Sequence, residues 1–133
     1  MTESNLEIVR RMLDAYFGGD LELAFTMVAP DVRWHGTVGG LEEGQVVEGR
    51  EAAAAALSES LGTWEDLRFE VEDLIDAGDC VLLYWREVAR VRESHAVIES
   101  RTAMVFTLAD GAVTEVRGYM DRAAAREAVG LDD

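Results

Sequence analysis

The chain has no lysine, a single proline, a single cysteine and only two histidines among its 133 residues. Each scarcity excludes something. One cysteine, Cys80, can close no internal disulfide and build no cysteine-based metal cluster. Placed in the middle of an apolar run, it reads as a small core residue. The histidines, His35 and His95, lie far apart with no ligand cluster around either, so no metal site is expected. Nothing in the sequence asks for a cofactor. No apolar run approaches the ~20 residues that cross a membrane. The opening MTESNLEIV carries acid and lacks an apolar signal core, so a cytoplasmic location is expected. Twelve basic residues against 27 acidic ones leave a net charge of −15. Such a charge opposes nucleic acid, anionic lipid and acidic partners.

What is present is ordinary for a globular protein: 49% apolar and 29% charged residues, in a chain of the length of one domain, 1–133. Ser4 and Glu7 have the spacing of a capping box, and Leu6, Val9, Leu13, Tyr16 and Phe17, with Met12 beside them, recur at helical spacing. Gly18 and Gly19 stop that helix. Asp20 is placed to cap a short second helix through Met27, which Pro30-Asp31 breaks. A short strand, Val32–Gly36, follows, with Trp34 facing inward and His35 outward. Thr37–Gly49 reads as a mobile loop, a candidate lid or mouth. An alanine-rich helix spans Arg50–Leu61, closed by Gly62, with Ala53, Leu57 and Leu61 on its buried side. Leu67–Ile75 alternates as a half-buried strand.

Three long strands then run from Asp79 to Asp121, turning at Arg92–His95 and at Ala109–Gly111. Both faces of Val81–Val91 are substantially apolar, so both should be covered. Helices cover one, and a second copy of the chain is the expected cover for the other. Arg122–Val129 is a terminal helix, with Asp121 at its N-cap. Helices followed by consecutive strands predict an antiparallel α+β layer.

Three segments, GGDLELAFTMVAPDVRW, VEGREAAAAAL and ADGAVTEVRGYMDRAAA, in this order and spacing, resemble the SnoaL-like branch of the nuclear transport factor two-like superfamily. That group includes ketosteroid isomerases, limonene epoxide hydrolases and polyketide cyclases. The resemblance implies a cystatin-like cone, in which a curved antiparallel sheet wraps a long N-terminal helix around a deep apolar pocket, and it implies a homodimer. It also shows what is missing. The steroid isomerase's base falls on Gly36, its oxyanion tyrosine near Met12 and its protonated aspartate near Ala103. The Arg-x-Asp pair and further aspartate of the epoxide hydrolases fall on Arg86-Glu87-Val88 and Gly118.

If Ala103 faces the cavity, strand alternation takes Val97, Glu99, Arg101 and Val105 with it. The same reasoning turns Leu82, Tyr84, Arg86, Val88 and Arg90 inward on the preceding strand. Arg86, Glu99 and Arg101 then meet inside the cone near Tyr84, either as a clamp for a ligand carboxylate or enolate or as a structural cross-strand ion-pair cluster. His35 is a candidate general base, because imidazole as a class can exchange a proton at physiological pH. Asp121 matches the family's Tyr-x-Asp ending, but capping of the terminal helix is the favoured explanation for it. Met12, Tyr16, Trp34, Trp64, Tyr84, Arg86 and Met120 are the expected pocket lining.

Two functions remain open. One is a cofactor-free isomerase, cyclase or hydrolase acting on a hydrophobic carbonyl or polyketide-like compound, with His35, Glu99 and Arg101 as catalytic residues. It expects one carboxylate or imidazole standing free in the pocket. The other is a non-catalytic module that dimerises or binds a small hydrophobic or carboxylate-bearing molecule. It expects Glu99 fully paired and His35 outside.

Overall fold

The Ser4 hydroxyl accepts the Glu7 amide at 3.2 Å and donates to the Glu7 carboxylate at 3.1 Å in the computed structural model, which describes residues 4–40, 42–61 and 64–131. This capping box starts helix α1 (Asn5–Phe17), whose Ile8, Val9, Met12 and Leu13 form its buried face. Gly18 ends it, and Gly19, at φ +84°, carries the chain through a left-handed turn. Asp20 accepts the Leu23 amide and caps α2 (Leu21–Phe25). This second helix is shorter than its apolar pattern suggested, because Val28 already belongs to a strand.

That strand, β1 (Val28–Val38), runs straight through Pro30-Asp31, where a helix break and a loop were expected. Its pairing with β6 (Ala112–Tyr119) is interrupted between Val28 and Arg33. A residue with no N–H therefore sits in a gap of the ladder. The expected loop Thr37–Gly49 is largely a hairpin. β1 continues to Val38, and β2 (Val46–Glu48) returns antiparallel to it, with the Gly36 amide donating to the Gln45 carbonyl at 2.9 Å. Helix α3 (Arg50–Leu61) follows, with Ala53 buried as anticipated; its stop at Gly62 lies outside the described residues.

β3 (Trp64–Asp76), β4 (Cys80–Val91), β5 (Val97–Ala109) and β6 then form a continuous antiparallel meander. The turns fall where the sequence placed them, with His95 at φ 60° and Asp110 at φ 52°. The sheet order is β2-β1-β6-β5-β4-β3, and β1 lies parallel to β6, so the sheet is mixed and not purely antiparallel. The architecture is an α+β cone, a curved six-stranded sheet around α1.

Both faces of the sheet are buried at Leu82-Leu83 of β4. Adjacent Leu82 and Leu83 point to opposite sides, yet both are 0% exposed. On the inner side Leu83 joins Val9, Leu13, Phe25 and Phe106. On the outer side Leu82 packs with Ala103, Val105 and Tyr119 under Ala125 of α4 (Arg122–Ala128). Each such side chain stabilises the fold by about 1.5–3 kcal/mol through burial alone. Helix α4 thus covers Leu82, Ala103, Val105 and Tyr119 of the outer face within one chain. Charged Arg86, Glu99 and Arg101 share the rest of that face with Val97, which is 59% exposed.

Gly36 is a close-approach glycine: a Cβ there would lie 1.9 Å from the Glu42 carbonyl oxygen. Replacing it with alanine should therefore force the β1–β2 hairpin outward and cost about 1–3 kcal/mol. Chemical denaturation of Gly36→Ala checks this, and wild-type stability would show that the hairpin backbone yields freely.

Candidate active site

The inner face of the cone encloses a cavity of about 280 Å³. α1 contributes Met12, Leu13 and Tyr16; β1 contributes Trp34 and Thr37; Leu57 comes from α3. β3 adds Trp64, Leu67 and Phe69, β4 adds Trp85 and Glu87, and β5 adds Ser100, Thr102, Met104 and Phe106. Met120, 49% exposed, marks the rim. Met12, Tyr16, Trp34, Trp64 and Met120 thus line the cavity as the sequence suggested. Trp34 stacks on Phe25 with centroids 5.9 Å apart, and Trp85 stacks on Phe69 at 4.7 Å. All three tryptophans of the chain face this one space.

Tyr84, Arg86, Glu99 and Arg101 are not in it. They occupy the outer face, because the inward parity on β4 is that of Leu83, Trp85 and Glu87. The register pairs Trp85 with Thr102, Arg86 with Arg101 and Glu87 with Ser100. The side chain of Ala103, taken as the inward reference, packs under α4 instead. A one-residue error in that reference inverts every side chain on the strand. The physical reason for the observed choice is desolvation: guanidiniums cost too much inside an aromatic cone and stay wet on its outside.

There they form a cross-strand lattice. Arg86 donates to Glu99 at 2.7 Å and to Glu70 at 3.3 Å. Glu72 pairs with Arg122 and, at 3.6 Å, with Arg101. The hydrogen bond and charge of Arg86 hold the Glu99 carboxyl below its ordinary value, and the Arg122 hydrogen bond does the same for Glu72. Arg122 also donates to the carbonyls of Trp85 and Thr102 and lies 4.9 Å over the Tyr84 ring, pinning α4 to the sheet. Asp121 accepts the Ala123 amide at 2.9 Å as the N-cap of α4.

His35 also faces outward. Its Nδ1 accepts from Arg117 at 3.1 Å, which leaves the proton on Nε2 to be donated to Glu115 at 3.2 Å. Neither His35 nor Glu99 therefore reaches the cavity. The positions that carry aspartates in the related enzymes are closed. Gly36 abuts the Glu42 backbone, and a Cβ on Gly118 would lie 2.7 Å from Thr37 Oγ1.

One carboxylate is inside, and it was passed over in the sequence. Glu87 is the one charged side chain lining the cavity among the described residues. It makes no ion pair among the described residues, and partial burial pushes its carboxyl above the ordinary value. Its cross-strand neighbours are Ser100 and Phe69. Burial, and then the Glu87 charge, push the Tyr16 phenol up to about 12, so Tyr16 stays a neutral hydroxyl. Trp85 Nε1 is already committed to Thr102 Oγ1 at 2.7 Å, which fixes the wall beside Glu87. The signal was present as Leu83-x-Trp85-x-Glu87, an apolar alternation ending in an acid. An acid standing free beside a neutral hydroxyl in an apolar space is the arrangement of a proton-exchanging group.

Two expectations follow. Folded Glu87 holds its proton more tightly than the unfolded chain does. Its contribution to stability is therefore greatest below the ordinary carboxylate pKa and declines as pH rises through the interval up to Glu87's raised value. The melting temperature of Glu87→Gln relative to wild type, followed from about pH 4 to pH 8, should shift in the variant's favour and then level off. A flat difference would mean that Glu87 is fully hydrated. By contrast, Arg101, 62% exposed on the outer face, should tolerate alanine within about 0.5 kcal/mol, with ligand binding unchanged in titrations.

Residues 9–116 match the family model described as the SnoaL-like domain. No curated protein matches the sequence significantly. Among solved structures, a nuclear transport factor two-like protein from Burkholderia thailandensis superposes with a TM-score of 0.82 at 22% identity, over 96% of this chain and 98% of that one. A SnoaL-like polyketide cyclase, so described, from Jannaschia sp. gives 0.76 at 24% identity, over 100% and 99%. A protein of ketosteroid isomerase-like fold from Catenulispora acidiphila, in complex with trimethylamine, gives 0.72 at 17% identity, over 99% and 96%. At these identities the likeness is one of fold. With the family model covering most of its length, the chain belongs to the SnoaL-like domain family.

Proposed function

We propose that the cavity binds a small, mainly apolar carbonyl compound of the polyketide-like class and that Glu87 exchanges a proton with it, without a cofactor. The observation that carries this reading is the carboxylate of Glu87, standing without an ion pair in an aromatic cavity of about 280 Å³. A carboxylate held above its ordinary pKa is a stronger base than a solvated one and is matched to work nearer neutrality. It takes a proton from carbon beside a carbonyl, and the negative charge that develops on oxygen is stabilised by a neutral donor. Tyr16 is that donor, since its phenol remains protonated. The apolar walls supply binding area and exclude water.

The reading replaces His35, Glu99 and Arg101 with Glu87 and Tyr16. It also favours a neutral carbonyl compound over a carboxylate-bearing one, because the arginines expected to clamp a ligand carboxylate lie outside. The trimethylamine held by the Catenulispora acidiphila protein supports a small-molecule partner for this fold.

The test uses an apolar ketone such as 2-tetralone in deuterated buffer. Wild-type protein should accelerate exchange of the α-hydrogens, followed by proton NMR. Glu87→Gln should lose about 10²–10⁴-fold of the acceleration, while still binding the ketone as judged by tryptophan fluorescence. Equal rates in wild type and variant would remove Glu87 from the chemistry.

A further inference from the structure

The charge balance of the cavity differs sharply from that of the surface around it. Outside, arginines and acids alternate and pair. Inside, one acid is present and no arginine or histidine faces it from any lining element among the described residues. On β3 and β5 the neighbours of Glu87 are Phe69 and Ser100, and from α1 it meets Tyr16. The polar remainder of the lining is hydroxyl: Thr37, Ser100 and Thr102. Thr102 already accepts the Trp85 indole proton.

We propose that the cavity also takes apolar ammonium compounds, with the cationic nitrogen seated against Glu87 and the hydrocarbon part among the aromatic walls. This rests on the cavity reading above but not on the carbonyl chemistry. A half-buried carboxylate without a counter-ion is costly, and the described residues supply none. A ligand that brings its own positive charge therefore gains an ion pair in a site of low dielectric, where such a pair is worth more than in water. The rings add to this, because an ammonium near Tyr16, Trp34, Trp64 or Trp85 is attracted to their π-faces. A carboxylate ligand meets the opposite field and no donor cation. The net charge of −15 reinforces the choice by raising the local concentration of cations around the mouth. Such an ammonium compound would compete with a neutral carbonyl compound for the same carboxylate.

The probes are two molecules of one shape and an anion on the same benzyl frame. Benzyltrimethylammonium is the cation, neopentylbenzene its neutral isostere, and phenylacetate the anion. All three tryptophans line the cavity, so quenching or shift of their fluorescence reports occupancy directly. Benzyltrimethylammonium should bind at least about tenfold more tightly than neopentylbenzene, and phenylacetate should bind most weakly. Glu87→Gln should cut the difference between cation and isostere to the part the rings supply, while retaining the isostere. Equal or tighter binding of neopentylbenzene or phenylacetate by wild type would overturn the ammonium class and leave the cavity reading standing. Absence of binding by all three would overturn the cavity reading itself. The wild-type comparison stands alone should Glu87→Gln fold poorly.

Discussion

Pairing of Trp85 with Thr102 across β4 and β5 settles which side chains see the cavity and which see solvent. Their side chains meet on the inner face, where the indole N–H donates to the threonine hydroxyl at 2.7 Å. From the outer face Arg122 reaches the carbonyls of the same two residues. The ladder is thus held from both sides at one point. Because side chains alternate with a period of two, fixing this pair fixes every other position on both strands. Glu87 is inside for the same reason that Arg86 is outside.

The two faces then develop opposite electrostatics from similar residues. The outer face keeps its charges wet and opposed, so Arg86, Glu70 and Glu99 satisfy one another, and their pairing holds Arg86 above and Glu99 below its ordinary pKa. The inner face isolates one acid among rings, and isolation is what raises its pKa. A carboxylate that has a guanidinium is a poor base; one that lacks a partner is a reactive group. The difference between the paired acids and the unpaired Glu87 is therefore position relative to the sheet, not residue type.

Closure of the expected catalytic positions has a steric cause as well as a chemical one. The hairpin β1–β2 folds back so that the Glu42 backbone occupies the space a side chain at position 36 would need. Thr37 fills the corresponding space at Gly118. Glycine at both places lets backbone and a small hydroxyl approach closely. Any acid in this cavity has to project from another strand, and β4 supplies it.

Local chemistry was legible in the sequence by itself. The Ser4 cap, the stripe of α1, the turns at His95 and Asp110 and the cap at Asp121 each depend on residues a few positions apart. Much of the apolar lining was legible too, since Met12, Tyr16, Trp34, Trp64 and Met120 were expected in the pocket and line the cavity. What only the tertiary structure decided was anything that turns on register or on contacts between distant segments. These include the parallel pairing of β1 with β6, the hairpin within Thr37–Gly49, and the face on which Arg86, Glu99 and Arg101 stand. β4 is amphipathic on neither side, with Leu82 and Leu83 equally buried. Its pattern of apolar residues therefore carries no information about which parity faces the cavity. That choice is made by α4 closing over one face and α1 over the other, at sequence separations where no local rule operates.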